Sequence, residues 1–356
     1  MLMHHVIQKK IRVLVIDDSA LVRKTITDTL SMDPDIEVVG VANDPLIAIS
    51  KIPKLNPDVL TLDMEMPRMD GLTYLRMLKD EGSTIPVVVI SSLTQQGSKM
   101  ALAAMEAGAR EVLAKPDGTS SIGALAGKLA YHIKAAAKAR RDLEPLRQQK
   151  TYFQSDHSSL STEPDRRLIV IGASTGGVEA LRYILPSLPA NLPPIAVVQH
   201  IPAYFSNAVA TRINDMSEMN VREARDEDVL VSGTCLIAPG DHHMMVVKKG
   251  TGYQVRLLKT PPVHHCRPAV DILFRSASTA AGLHTVAVLL TGMGSDGARG
   301  LQAIKQSGGC SLAQDEASCI IYGMPRAAME LGVVDQSVHL QAIPKAIIET
   351  LKKISA

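Results

Sequence analysis

The 356-residue chain has no Trp, and only 3% of it is aromatic, so its cores must be aliphatic and it offers little material for stacking bases. Charge of one sign is also missing. The 38 basic and 36 acidic side chains leave a formal charge of +2, which gives no global electrostatic case for nucleic acid or an anionic membrane. The four cysteines, Cys235, Cys266, Cys310 and Cys319, include no C-x-x-C pair, and so few in so long a chain argue against a disulfide scaffold. Reduced thiols in a cytoplasm are the expectation. The start, MLMHHVIQKK, lacks the apolar stretch of a secretory signal, and no apolar run is long enough to span a bilayer. A cytoplasmic protein that is not membrane-inserted is expected. Hydrophobic residues at 46% and charged residues at 21% are globular proportions. At roughly 100–200 residues per domain, the length allows two domains or three.

What is present is alternation. From Ile11 the aliphatic runs IRVLVI, IEVVGV, PDVLTL, PVVVI and EVL are separated by helical patterns such as ALVRKTITDTL and YLRMLKD. Short continuous Val/Ile/Leu runs between helices mean a parallel sheet covered on both faces. Five such units predict a flavodoxin-like (βα)5 domain over 11–128. Residues 129–165 read as a linker, helical at first and then rich in Ser, Thr, Asp and Pro. The basic side chains of 134–150 read as a solvated helix end. From 166 to 353 the alternation resumes. RLIVIG, IAVVQ, GTCLIA and TVAVLLT predict a second doubly wound, mainly parallel α/β domain, and MMVVKK and YQVRLL around KKGTG predict an antiparallel hairpin within it.

In the first half, Asp17 and Asp18 follow the first strand and Asp63 follows the third. The carboxyl ends of these two strands meet at the switch point of a doubly wound sheet, so the acids would share one site. Carboxylates that close repel unless a hard cation joins them, and oxygen ligands suit Mg²⁺. Lys115 follows the fifth strand at the same rim, and Ser91 ends the fourth with a hydroxyl.

The set IDDSA, LDMEMPRMDG, VVVISS and AKP resembles the receiver domain of two-component response regulators. The resemblance implies that Asp63 accepts a phosphoryl group from a histidine kinase. It gives Mg²⁺ to Asp18, Asp63 and the backbone carbonyl of Glu65, with Asp17 in support. Ser91 would take the switch hydroxyl position, and Lys115 would contact the phosphoryl group. Receivers commonly carry an aromatic switch residue three before the lysine. Here that residue is Val112, which puts the usual aromatic rotation in question.

In the second half, Gly172-Ala173-Ser174-Thr175-Gly176 satisfies G-x-S-x-G between a strand and a helix. A nucleophile elbow, a phosphate-binding turn and a plain glycine-rich connection all fit the motif alone. His200 and Asp296 each follow a strand, so a hydroxyl, an imidazole and a carboxylate could converge on one sheet edge. The chain order Ser-His-Asp differs from that of α/β-hydrolases. Gly292-x-Gly294-x-x-Gly297 matches a dinucleotide fingerprint but lies late in the domain, and it reads better as a loop presenting Asp296. The pairs His242-His243 and His264-His265, with Cys266 adjacent, fit no zinc spacing and read as loop residues near a substrate.

GASTGG, VVQHIP, APGDHHM, RPAVDILFRSAS and LLTGMGSDGARG together resemble the CheB family of chemotaxis methylesterases. The resemblance implies hydrolysis of glutamate γ-methyl esters on methyl-accepting chemoreceptors, and deamidation of certain receptor glutamines. Ser174 would be the nucleophile, His200 the base and Asp296 its orienting acid. The Met293 N–H and groups near Thr175 would hold the oxyanion, and the esterase reaction needs no cofactor. The phosphodonor implied is the chemotaxis histidine kinase CheA, and the unphosphorylated receiver is expected to cover the esterase cleft. A chemosensory pathway other than flagellar motility is an alternative setting. Two rivals from other classes are a phosphorylation-gated binding module and a DNA-binding regulator. The first would lack a triad member, and the second would need a basic helix-turn-helix.

Overall fold

A computed structural model describes residues 9–91, 95–115, 122–139, 166–203 and 205–354. The chain divides into two compact units, Met1–Arg141 and Asp142–Ala356. Among the described residues no helix is long and apolar enough to cross a membrane.

In the first unit the strands are β1 (Ile11–Ile16), β2 (Ile36–Ala42), β3 (Val59–Asp63), β4 (Val87–Ser91) and β5 (Glu111–Ala114). They alternate with α1 (Ala20–Ser31), α2 (Pro45–Leu55), α3 (Gly71–Asp80), α4 (Gln95–Glu106) and α5 (Ile122–Lys138). The strands pair in parallel in the order β2-β1-β3-β4-β5, the flavodoxin-like arrangement expected. Three helix starts are fixed by side chains that accept a first-turn N–H: Ser19 for α1, Asp44 for α2 and Asp70 for α3. On one face of the sheet, Val13, Val15, Val88 and Ile90 pack with Ile26, Leu30 and Ile133. Each such buried aliphatic contributes about 1.5–3 kcal/mol relative to exposure.

The boundary at 128 falls too early. Helix α5 runs ten residues further, and Leu129, Ala130, Ile133 and Ala136 join the core of this unit. Small alanines form the buried stripe, which is why it reads as a fading pattern in the sequence. Lys134, taken there as part of a solvated basic run, is paired with Asp33 and Asp35 at 2.8 Å each. The rest of the expected linker, 140–165, lies outside the described residues.

The second unit contains β6 (Leu168–Ala173), β7 (Ile195–Gln199), β8 (Asn220–Glu223), β9 (Val229–Leu230), β10 (Thr234–Ile237), β11 (His243–Lys249), β12 (Gly252–Leu258), β13 (Thr285–Leu289), β14 (Cys310–Gln314) and β15 (Gln336–Val338). Its helices are α6 (Gly177–Ile184), α7 (Phe205–Asn214), α8 (Val270–Ala280), α9 (Ala298–Gln306), α10 (Met324–Glu330) and α11 (Ile343–Lys353). Seven parallel strands run β15-β14-β13-β6-β7-β10-β8. The expected hairpin is β11–β12, joined by β9 in a separate antiparallel sheet. Val170, Val198, Leu236, Leu273, Phe274 and Leu289 belong to the core between sheet and helices.

The central trio β13-β6-β7 fixes the geometry that follows. Asp296 lies beyond β13, Ser174 directly follows β6 and His200 directly follows β7, so all three share the carboxyl edge of adjacent strands.

Candidate active site and acceptor site

Ser174 sits where β6 turns into α6. The turn is possible because Gly176 takes φ +78°, and a Cβ there would lie 2.5 Å from Ile320. The backbone of Ser174 is held on both sides. Its N–H donates to the Thr291 carbonyl at 3.0 Å, and its carbonyl accepts from Gln199 Nε2 at 2.8 Å. Its side chain is buried, and its hydroxyl, like that of Thr175, has no hydrogen-bond partner among the described residues. Buried polar groups are ordinarily satisfied, so two adjacent unsatisfied hydroxyls mark a place prepared for something else. Gly292 lies directly against Ser174, since a Cβ on Gly292 would come within 2.6 Å of Ser174 Cβ. This brings Met293 to the same rim, one residue on.

His200 follows β7, and its N–H donates to the Ala173 carbonyl at 3.0 Å. Its Nε2 lies 2.7 Å from Asp296 Oδ2 and its Nδ1 3.4 Å from Cys266 Sγ. Burial opposes an imidazolium here. The adjacent Cys266 sulfur and the Asp296 carboxylate outweigh it and push the His200 pKa up to about 10.

Asp296 is buried but fully occupied. Its Oδ2 also accepts from the Val270 N–H at 2.7 Å, and its Oδ1 accepts from the Asp271 N–H at 2.8 Å. These are the first residues of α8, whose N-cap, Ala269, has no capping side chain. Asp296 therefore caps α8 from another part of the chain, where a carboxylate is favoured. The cap is returned. Asp271 Oδ1 accepts from Gly297 N at 3.0 Å and Gly300 N at 2.6 Å, at the start of α9. Burial alone would raise the Asp296 pKa, but the His200 hydrogen bond and charge and the two N–H donors hold it below the usual value.

This exchange of caps disposes of the dinucleotide reading of Gly292 to Gly297. The helix start that would receive a pyrophosphate already holds the Asp271 carboxylate. Asp271 was not among the sequence candidates, because an acid in the first turn of an amphipathic helix carries no mark of what it caps.

Of the two histidine pairs, His243 departs from the expectation of loop residues near a substrate. His243 is buried in β11, where its Nδ1 accepts from Ala269 N at 3.1 Å and its Nε2 lies 3.1 Å from the Pro261 carbonyl. His264 Nε2 lies 3.0 Å from Asp271 Oδ2. Cys266 points at the imidazole of His200.

In the first unit, Asp17 and Asp63 are each 1% exposed, and Asp18 is exposed. Carboxylate oxygens of the three lie within 4.8 Å of one another. Lys115 Nζ is 2.6 Å from Asp63 Oδ2 and 3.6 Å from Asp17 Oδ2. Ser91, at the end of β4, has a buried hydroxyl with no hydrogen-bond partner among the described residues. Burial raises both the Asp17 and the Asp63 pKa, the neighbouring Asp63 charge adds to the first, and Lys115 opposes the rise at each. Lys115 itself is held above its ordinary value, because Asp63 outweighs its desolvation. One lysine cannot neutralise three clustered acids, and Asp17 Oδ2 is buried without a hydrogen bond among the described residues. The donor set is all oxygen, which fits a hard divalent cation. Glu65 contributes an N–H to Asp63 Oδ1 at 3.2 Å.

With both sites described, the chain can be set beside known proteins. Residues 169–347 match the family model for CheB methylesterase, and residues 13–126 match that for the response regulator receiver domain. The chain belongs to the CheB methylesterase family. Protein-glutamate methylesterase/protein-glutamine glutaminase 2 of Syntrophus aciditrophicus (strain SB) is 48% identical over 343 residues, 95% of this chain and 98% of that protein. The similarly named protein of Pectobacterium atrosepticum is 45% identical over 345 residues, 95% of this chain and 96% of its own length. The crystal structure of the Thermotoga maritima CheB methylesterase catalytic domain is 39% identical, with a TM-score of 0.51. It covers 51% of this chain and 97% of that one. This CheB-family chain thus carries a receiver before its catalytic domain.

Proposed function

We propose that this chain is a cytoplasmic, phosphorylation-activated protein-glutamate methylesterase, and a glutaminase at certain sites, acting on methyl-accepting chemoreceptors. The observation that carries the chemistry is the 2.7 Å His200–Asp296 contact on the sheet edge where the buried Ser174 hydroxyl lies unpartnered. Relatives named protein-glutamate methylesterase/protein-glutamine glutaminase, matched over nearly their whole length, support the substrate class.

Ser174 Oγ attacks the γ-ester carbonyl and its proton passes to His200. His200 returns that proton to the departing methanol, or to ammonia in deamidation, and water then releases a glutamate. Asp296 Oδ2 fixes the tautomer by accepting a hydrogen bond from the Nε2–H, which leaves Nδ1 as the basic nitrogen. Nδ1 faces Cys266 in the structure, so Ser174 competes with a thiol for the base. The oxyanion falls to N–H groups of the Thr175 turn and Met293. Losing one such donor costs about 10²–10³ in rate.

The receiver supplies the control. Asp63 accepts a phosphoryl group from a histidine kinase, CheA by family resemblance, and gains about −1.5 to −2 charges. Asp18, Asp63 and the Glu65 carbonyl would hold Mg²⁺, with Asp17 in support. The ion supplies positive charge that Lys115 alone does not provide. Ser91 and Lys115 would then contact the phosphoryl group.

The test is methanol release from methylated receptor membranes. Ser174→Ala should lose at least about 10⁴-fold, the scale on which removal of a nucleophile is felt. A fluorophosphonate should label Ser174 in the wild type. Ser174→Ala that turns over at the wild-type rate would end the mechanism.

A further inference from the structure

The receiver acids, the caps and the Ser174 turn are all accounted for by the proposed reaction. Cys266 is not. Its sulfur completes a second row of thiol, imidazole and carboxylate: Cys266 Sγ to His200 Nδ1 at 3.4 Å, then His200 Nε2 to Asp296 Oδ2 at 2.7 Å. A nucleophile touching a base that a third group orients is the arrangement that activates nucleophiles generally. Cys266 is a half-buried residue, whereas Cys235 and Cys319 are buried.

The segment bearing it is also unusually fixed. Val263 and Cys266 exchange both backbone hydrogen bonds, at 3.0 and 2.8 Å, across a two-residue turn. The turn residues His264 and His265 take φ of 51° and 62°, a region that non-glycine residues rarely enter. His264 is tied to Asp271, and the next residue, Arg267, is tied to Asp241. Surroundings that impose a left-handed turn on two histidines are a feature met at functional sites. Their effect is to hold the thiol on the base.

We propose that Cys266 is a second activated nucleophile of this site, a modification point for soft electrophiles and hydroperoxides whose capture takes His200 away from ester hydrolysis. The proposal rests on His200 being the esterase base. With an alkyl iodide, the S–C bond forms as C–I breaks, iodide leaves and the thiol proton passes to His200 Nδ1. With a hydroperoxide, S–O forms as O–O breaks. Sulfur is oxidised by two electrons to a sulfenic acid, and the peroxide is reduced to water or an alcohol. Either adduct leaves a substituted sulfur against Nδ1, the nitrogen that must receive the Ser174 proton.

The experiment treats the full-length protein with limiting iodoacetamide at pH 7 and maps the label by mass spectrometry. Cys310, also half-buried and without a hydrogen bond to a histidine among the described residues, is the internal control. Cys266 should be labelled at least about tenfold faster than Cys310, and His200→Gln should remove that advantage. Methanol release should fall in step with Cys266 labelling, and the turnover that Cys266→Ala retains should be insensitive to the reagent. Equal labelling of Cys266 and Cys310 in the wild type, which needs no variant, would overturn the proposal. So would unchanged Cys266 labelling in folded His200→Gln. The label is read on sulfur, so untreated protein that released no methanol would sink the esterase reading and leave this ratio still decisive.

Discussion

Each half of the molecule buries carboxylates at the carboxyl edge of a parallel sheet, and the two edges treat them oppositely. Asp17 and Asp63 are 1% exposed and Asp296 is 2% exposed, so depth does not distinguish them. Burial raises the first two, whereas Asp296 is held down. The difference lies in what faces the oxygens. Asp296 receives two backbone N–H groups from α8 and the His200 ring, all from its own chain. Asp17 and Asp63 face each other and share one lysine, and an Asp17 oxygen is left without a hydrogen bond among the described residues. A saturated carboxylate is a fixed part of the machinery. An unsaturated pair is a socket for positive charge, and that contrast matches a constitutive catalytic apparatus joined to a switch.

The comparison breaks most sharply at Asp296. Asparagine offers one acceptor oxygen to the three donors now there, and turns an NH₂ toward at least one of them. His200 would also lose the acceptor that fixes its tautomer. Methanol release by Asp296→Asn should fall by about 10³–10⁴, with KM changed far less than kcat. A fall below tenfold would mean that the carboxylate serves only as a helix cap.

The next largest effect belongs to the socket. Asp63→Asn removes the acceptor oxygen and should abolish stimulation of methanol release by acetyl phosphate, leaving the resting rate in place. Chelating divalent cations from the wild type should do the same, reversibly. Stimulation that survived either treatment would move the switch elsewhere in the chain.

How much of this could be read from the sequence follows from the same chemistry. Strands covered on both faces are written as aliphatic runs, so β1, β3, β4, β6, β7 and β13 stand out, and acids placed just after them are conspicuous. β14 was missed although it is buried, because its CSLAQ sequence carries polar residues with partners far away. Ser311 donates to the Val333 carbonyl, and Gln314 accepts from Thr291 N. β8 and β15 are short edge strands whose polar residues meet water, and β9 has only two residues. The exchange of caps between Asp296 and Asp271 spans 25 residues, and the Cys266–His200 contact spans 66. No local pattern encodes either, because each exists only after the strands have been ordered.

A smaller effect concerns His200, the ring that the saturated carboxylate Asp296 holds. Its raised pKa favours the imidazolium, so the basic form gains as pH rises, and kcat/KM should climb on a limb above the ordinary histidine range. The same shift stabilises the fold fully below about pH 6.5, the unfolded value, and that contribution fades as pH rises through about 10. Cys266→Ala removes the sulfur that lies against Nδ1 and helps hold the pKa of the ring up. The limb of the pH–rate profile should then move to lower pH, and a limb that stays in place would show that Asp296 alone sets it.

The smallest effect tests whether the socket costs stability while metal-free. The Asp17 carboxylate is charged against its environment, since burial and Asp63 both favour its neutral form. With the folded pKa above the unfolded one, raising the pH through that interval destabilises the metal-free fold. Asp17→Asn deletes the charge with little change of shape. It should stabilise the metal-free chain at pH 7, read as a higher denaturant midpoint at constant m-value. The rise in stability that Mg²⁺ gives the wild type should shrink in the variant, because less repulsion remains for the ion to relieve. Asp296→Asn is expected to destabilise in the same measurement, because it uncaps α8 and leaves buried donors unpaired. Opposite signs from the same chemical change at equally buried carboxylates would separate the saturated site from the unsaturated one, and equal signs would erase the distinction.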